Sequence, residues 1–174
     1  MAEFTLAMRS RRTAKPHPTD RDWPGQSLAS MVGRCGANPA FLSDLARVQE
    51  RIDARIADLQ QKCLAGGVCC RFDLTGHRLY LSTGELAILT SEPPPAPGAC
   101  RKLRCPYQLG SRCMARQRRP LGCRIFFCRI ADRASADRIY EQYHHRIRML
   151  HQTHWVPYGY VELTSSIMQL SLGK

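Results

Sequence analysis

The chain has 174 residues, a length that can bury a hydrophobic core and that indicates one domain with an extension. Its hydrophobic fraction of 44% and charged fraction of 23% are typical of globular proteins, and the absence of any long apolar segment argues against a membrane protein. The unusual features are a formal net charge of +12 and nine cysteines.

Residues 1–37 are predicted to form a flexible basic tail, because prolines and glycines interrupt any periodic pattern there. The arginines between Arg9 and Arg12 come too early for the continuous apolar stretch of a signal peptide. We therefore expect a soluble protein of the reducing cytoplasm. In that compartment cysteines more often bind metal or do redox work than form disulfides.

The first long helix is predicted over residues 39–63. Asn38 is a favourable N-cap and Pro39 suits the first helical position, whereas Gly66 and Gly67 mark the end. Apolar residues follow at gaps of three or four, which places them on one helical face. These residues are Phe41, Leu45, Val48, Ile52, Ile56 and Leu59.

The middle of the chain predicts smaller elements. The turn signal Thr75-Gly76 before the run Leu79–Leu81 predicts a small β-hairpin. Ser82 and Glu85 have the spacing of a capping box and predict a short helix, which the prolines from Pro93 onward end.

A second long helix is predicted over 135–151, with a short C-terminal helix near 161–170. The predicted fold is therefore α+β and mainly helical. Two packed long helices would carry a small β-hairpin and metal-stapled, cysteine-rich loops at one end. Residues 38–174 would form this single metal-binding domain.

The basic charge has two interpretations: it marks a surface for nucleic acid or an acidic protein partner, or it is offset by metal-bound thiolates. About eight thiolates around two divalent ions would reduce the formal charge to about +8. The arginines are spread along the chain rather than gathered in one block, which disfavours nucleic acid.

Eight of the nine cysteines lie between Cys63 and Cys128, whereas Cys35 stands apart in the predicted tail. An odd number excludes a fully paired disulfide framework, and the absence of any C-x-x-C pair excludes thioredoxin-type redox chemistry. A single cysteine is often just a small buried side chain, but a cluster of this density indicates a metal centre.

Thiolates are soft ligands that suit zinc, copper(I) and iron–sulfur clusters. Zinc sites usually use knuckles with two to four residues between cysteines, and here only the gaps Cys100–Cys105 and Cys123–Cys128 fit. This spacing favours iron or an iron–sulfur cluster, with zinc as the alternative. His77 is the best histidine candidate, because it lies in the predicted turn near Cys69 and Cys70.

Two segments resemble the YkgJ-type cysteine-cluster proteins, a family described as zinc- or iron-chelating. The run Cys63-Leu-Ala-Gly-Gly-Val-Cys69-Cys70 resembles the family's C-x-x-C-x-x-C-C opening. Cys105-Pro106, then Cys113, then Arg119-Pro120-Leu121-Gly122-Cys123-Arg124 resembles its second half.

The resemblance implies metal chelation by six cysteines. These are Cys63, Cys69, Cys70, Cys105, Cys113 and Cys123. Gly66 stands where the family has a further cysteine, so Cys100 or Cys128 would replace that ligand, or the centre has fewer ligands. A more distant branch is similar to flagellin lysine N-methylases, which keeps a metal-dependent protein-modifying enzyme as the alternative function.

Overall fold

The computed structural model describes residues 25–59, 66–125 and 132–172, and the fold is mainly helical, as expected. Four short strands form two separate two-stranded antiparallel pairs among the described residues. Short 3-10 turns at Val68–Cys70, Pro97–Lys102 and Arg116–Arg118 connect the elements. In chain order the helices and strands are α1 (Leu28–Gly36), α2 (Pro39–Asp58), α3 (Phe72–Thr75), β1 (Tyr80–Ser82), α4 (Thr83–Leu89), β2 (Gln108–Leu109), β3 (Arg112–Cys113), α5 (Leu121–Ile125), α6 (Arg133–Thr153), β4 (Tyr160–Glu162) and α7 (Leu163–Leu172).

The two long helices form and pack against each other as predicted. Asn38 caps α2 by accepting a hydrogen bond of 2.9 Å from the Phe41 backbone N–H, and the predicted apolar face is buried from Phe41 to Ile56. The helix ends at Asp58 rather than at residue 63, because the Leu59 N–H bonds the Ile56 carbonyl and tightens the last turn. The remainder of the predicted helix, residues 60–63, lies outside the described residues.

The predicted tail is wrong for residues 28–36, which form α1. Ser27 caps this helix, and Leu28, Val32 and Cys35 are buried where α1 packs on α4. Short polar residues and glycines stand between the apolar residues of α1, so the sequence pattern does not indicate its buried face. Residues 1–24 of the predicted tail lie outside the described residues.

The predicted hairpin is also placed differently. Tyr80–Ser82 is a strand, but it pairs with Tyr160–Glu162 near the end of the chain, in the register Leu81 opposite Val161. The predicted hairpin would have its other strand directly before the turn Thr75-Gly76, but the residues there form the short helix α3. A tight hairpin exists at β2–β3, where Gln108 pairs with Cys113 across Gly110.

Helix α4 lies at the centre of the molecule and begins with the predicted capping box. The Ser82 hydroxyl accepts from the Glu85 N–H at 3.2 Å, and the Glu85 carboxylate accepts from the Ser82 N–H at 2.8 Å. Every residue of α4 except Ile88 is buried. None of the helices in the described ranges is long and apolar enough to cross a membrane.

His151 is a buried histidine that packs edge-on against Phe41. Its Nδ1 lies 2.9 Å from the Pro157 carbonyl, an acceptor only, so Nδ1 carries the proton and Nε2 does not. Nε2 has no hydrogen-bond partner among the described residues. Burial lowers the pKa of His151 from 6.5 to about 4, because a second proton would leave an uncompensated charge in the core.

This lowered pKa predicts that acid destabilises the fold. Below pH 6.5 the unfolded chain binds a proton at this position, whereas the folded chain binds it only near pH 4. The free energy of unfolding therefore decreases as the pH is lowered from 6.5 to about 4. We expect a loss of about 2 kcal/mol in the free energy of unfolding between pH 7 and pH 5 from this residue. Urea unfolding at both pH values measures the loss.

A matched pair of variants isolates His151. His151→Leu is expected to be less stable at neutral pH and to lose this part of the pH dependence. His145→Leu, at an exposed position of α6, is expected to retain it. An unchanged pH dependence in His151→Leu would contradict the assignment.

Candidate metal centre

Five cysteines from separate parts of the chain line one cavity of about 50 Å³, which we call the thiol cavity. A void of this size holds a few water-sized atoms. Apolar side chains form much of the remaining wall, including Leu79, Leu89 and Leu163, and Arg116 and Arg119 also line it. The five residues are Cys69, Cys70, Cys105, Cys113 and Cys123.

Backbone contacts hold the first three of these cysteines beside one another. Cys69 and Cys70 lie on the 3-10 turn that follows Gly67, and the Cys105 N–H donates to the Cys70 carbonyl at 2.9 Å. The Gln108 amide donates to the Gly67 carbonyl at 3.0 Å. The hairpin β2–β3 is thereby attached to the same turn.

Gly67 is required at the start of that turn. Its φ of +74° lies in the left-handed region that favours glycine. A Cβ atom there would lie 2.5 Å from the Gln108 amide nitrogen and 2.8 Å from the Ser111 carbonyl oxygen. The close approach of two backbone segments at Gly67 therefore shapes the cavity wall.

Two thiols of the cavity, those of Cys70 and Cys123, have raised pKa values that favour the protonated form. The pKa of Cys70 is raised to about 12, first by its thiol hydrogen bond with Cys105 and further by burial, against a lowering contribution from Cys69. Burial raises the pKa of Cys123 well above its ordinary value, and the neighbouring Cys70 and Cys113 raise it further. Several thiols this close cannot all ionise unless a cation compensates their charge.

The fit to a metal ion rests on this donor set. Soft thiols that converge on one small cavity, and whose ionisation needs a cation, are suitable ligands for iron or zinc. In the described residues, however, no three His, Cys, Asp or Glu side chains are placed as a metal ion would hold them. The side chains therefore have to rotate, with loss of the Cys70–Cys105 thiol hydrogen bond, to bind one.

The remaining predicted ligands are located elsewhere. Cys100 is buried, and its pKa is raised to about 11 by burial and by Glu162, but it does not line the cavity. Cys63 and Cys128 lie outside the described residues. His77 is exposed and does not line the cavity either.

Cys35 lies apart from the thiol cavity, as its isolated position in the sequence suggested. Its thiol donates to the Pro157 carbonyl at 3.4 Å, and burial raises its pKa to about 11. None of the seven described cysteines forms a disulfide with another.

Arg124 attaches the Cys123 segment to the long helix α2. Its buried guanidinium donates to the Arg119 carbonyl at 2.7 Å, the Gln117 carbonyl at 2.6 Å and the Gln49 side-chain oxygen at 3.2 Å, and it pairs with Asp53. Arg124 therefore points to α2, although it directly follows Cys123 in the sequence. Arg119, not Arg124, lowers the pKa of Cys123.

Glu85 provides a second attachment that the sequence did not indicate. One carboxylate oxygen completes the capping box of α4, and the other accepts from the Leu121 N–H at 2.7 Å. The start of α5, two residues before Cys123, is thereby fixed to the centre of the molecule. The capping-box spacing identifies Glu85, but no local signal identifies its contact with Leu121.

No family model matches the chain, and no curated protein or solved structure matches it significantly.

Replacing Arg124 is expected to loosen the thiol cavity. Arg124→Met leaves two carbonyls and one amide oxygen without their donor, and we expect a loss of about 3 kcal/mol in the free energy of unfolding. Chemical denaturation measures this loss. Arg47→Met, which removes an exposed ion pair of α2 with Asp44, should change stability very little; equal losses in both variants would refute the role of Arg124.

Gly67→Ala is expected to distort the turn that carries Cys69 and Cys70. The left-handed backbone and the close contact with Ser111 predict a loss of about 2 kcal/mol or more in stability. Cysteine alkylation rates, followed by mass spectrometry, should rise at Cys70 and Cys105.

Gly98→Ala is the matched control, because a Cβ at Gly98 meets nothing within 4 Å and its φ is not positive. It should leave both stability and alkylation unchanged. Unchanged alkylation in Gly67→Ala would show that Gly67 does not shape the cavity.

Proposed function

We propose that this chain is a metal-binding protein whose centre is held by cysteine thiolates of the thiol cavity. The observation that carries the proposal is that five cysteines converge on one largely apolar cavity. They come from a 3-10 turn, a loop, the strand β3 and the short helix α5. Cysteines that are buried independently, as small apolar side chains, have no reason to share one small cavity.

The electrostatics of the cavity support a cation as the ligand. Cys70 and Cys123 have raised pKa values because burial and neighbouring thiols oppose their ionisation. A divalent cation reverses this effect, so binding releases protons and converts thiols to thiolates. Arg119 lies close enough to Cys123 to favour its thiolate and would offset part of the charge of a thiolate centre.

Iron or an iron–sulfur cluster is the proposed occupant, with zinc as the alternative. The chain has no C-x-x-C knuckle, and its ligands come from distant segments. When bound, such a centre supplies either a structural link between the segments or a redox-active group. Cys69, Cys70, Cys105, Cys113 and Cys123 are its proposed ligands among the described residues.

The resemblance to YkgJ-type proteins supports the same proposal from the sequence. Its motifs include all five cysteines of the cavity. Membership of that family remains a proposal that rests on these motifs.

Anaerobic purification followed by metal analysis and a visible spectrum tests the proposal. We expect at least about half a metal ion per chain. An iron–sulfur cluster should absorb at roughly 400 nm and lose that band on oxidation. A colourless protein with stoichiometric zinc would reverse the choice of metal, and a metal-free protein in which all nine cysteines react as thiols would refute metal binding.

Serine variants locate the centre. Cys70→Ser and Cys123→Ser are expected to lower the metal content severalfold, because each removes a thiolate from the cavity. Cys35→Ser should retain the wild-type metal content, since Cys35 is buried elsewhere. Circular dichroism confirms that each variant is folded, and equal metal loss in all three variants would contradict the assignment.

A further inference from the structure

The cysteine-rich part of the chain contains no acidic residue over a long stretch. From Pro93 to Ala131 there is no Asp or Glu, although the same stretch contains nine Lys or Arg residues. Three of these cations pair with acids from outside the stretch: Arg104 with Asp73, Arg118 with Glu92 and Arg124 with Asp53.

Several other cations of the stretch have no acidic partner among the residues that the structure describes. Lys102, Arg112 and Arg116 are exposed, and they form no ion pair within the described part of the chain. Arg116 also lines the thiol cavity, and Arg112 lies between two residues that line it, Ser111 and Cys113. Positive charge is therefore uncompensated beside the cavity.

Exposed aliphatic side chains lie in the same stretch and on the turn that carries Cys69 and Cys70. Val68, Leu103 and Met114 are 48%, 48% and 51% exposed. Val68 follows Gly67, and Met114 lies between Cys113 and Ala115, so two of the three adjoin residues that line the cavity. We call these three residues, with Lys102, Arg112 and Arg116, the basic–apolar face.

Leu103 is held in an unfavourable backbone conformation. Its φ of +51° is uncommon for a bulky residue and is normally taken by glycine or asparagine. Its N–H bonds the Cys100 carbonyl at 3.0 Å, and its carbonyl accepts from the Asp73 N–H at 2.9 Å, so the surrounding backbone holds it in place. Strain of this kind, which keeps an apolar side chain in solvent, is characteristic of functional positions.

Two backbone hydrogen bonds and one side-chain hydrogen bond join the segments of the basic–apolar face. The bond from Asp73 to Leu103 connects α3 to the end of the 3-10 turn Pro97–Lys102. The bond from Cys105 to Cys70 and that from Gln108 to Gly67 connect the same region to Val68 and to the hairpin. The exposed residues thus belong to adjoining segments, and those that carry Val68, Arg112, Met114 and Arg116 contribute to the wall of the thiol cavity.

We propose that the basic–apolar face is a docking surface for a protein partner, which binds through a segment that combines carboxylates with apolar side chains. Arginines suit bidentate contacts with carboxylates, and exposed Leu, Val and Met suit an apolar anchor. Single-stranded nucleic acids are bound through aromatic stacking as well as cations, and the exposed aromatic residues Tyr80, Trp155 and Tyr160 belong to other elements. This proposal does not depend on metal binding.

A displayed library of random short peptides, selected against the full-length protein, tests the proposal. We expect enrichment of peptides that contain both Asp or Glu and Leu, Ile or Phe. The enriched peptides are then labelled and their affinity is measured by fluorescence anisotropy. Arg112→Glu/Arg116→Glu should weaken them at least about tenfold, because each reversal replaces an attraction by a repulsion.

Leu103→Gly separates the docking role from a role in folding. Glycine tolerates the left-handed backbone, so this variant should remain folded with unchanged or higher thermal stability. It should nevertheless weaken the same peptides at least about tenfold if Leu103 is an apolar anchor. The control Arg138→Glu/Arg146→Glu makes the same charge change on α6 and should reduce affinity much less.

Three results would overturn the proposal. The first is a selection that enriches no acidic and apolar peptides. The second is affinity that falls equally in the α6 control and is unaffected by Leu103→Gly, which would indicate attraction by charge alone. The third is a single-stranded oligonucleotide that binds more tightly than the peptides and is sensitive to the same variants, which would indicate a nucleic-acid surface.

Discussion

The buried guanidinium of Arg124 is the interaction on which the arrangement of the thiol cavity depends. A buried arginine is costly unless its donors are satisfied, and here its partners are Asp53 and Gln49 on α2 and the carbonyls of Gln117 and Arg119. These bonds hold a loop and the short helix α5 against a long, well-packed helix. The five residues of α5 that the structure describes are too few to form a stable helix in isolation, so such contacts set their position.

Glu85 complements this attachment from the centre of the molecule. Its carboxylate caps α4 and accepts a hydrogen bond from the Leu121 N–H. The segment that carries Cys123 is therefore held by Glu85 at Leu121 and by α2 at Arg124. The opposite wall, with Cys70 and Cys105, is held by the backbone hydrogen bond from Cys105 to Cys70 and by the side-chain hydrogen bond from Gln108 to the Gly67 carbonyl. The cavity therefore has one rigid wall and one built from turns, which is compatible with thiols that rotate to meet a cation.

The electrostatics of the thiol cavity depend both on its thiols and on the charged residues around it. The pKa of Cys70 is raised first by its hydrogen bond with Cys105, and that of Cys123 first by burial and then by neighbouring thiols. Cations of the acid-free stretch lie beside these thiols. Among the described residues, no Asp or Glu forms an ion pair with Lys102, Arg112 or Arg116. By contrast, ion pairs are formed by Arg104, Arg118 and Arg124. The same basic stretch thus contributes to the fold, to the electrostatics of the thiols and to the exposed surface.

Local signals in the sequence determined the helices α2, α4 and α6. The Asn38 cap, the Ser82–Glu85 capping box and the apolar period of α2 and α6 act within a few residues, so they could be identified without the fold. The strand partner of Tyr80–Ser82, the burial of α1 and the convergence of Cys69, Cys70, Cys105, Cys113 and Cys123 depend on contacts between residues distant in sequence. Only the tertiary structure decided these, because cysteine spacing specifies which thiols are near in the chain and not which meet in space.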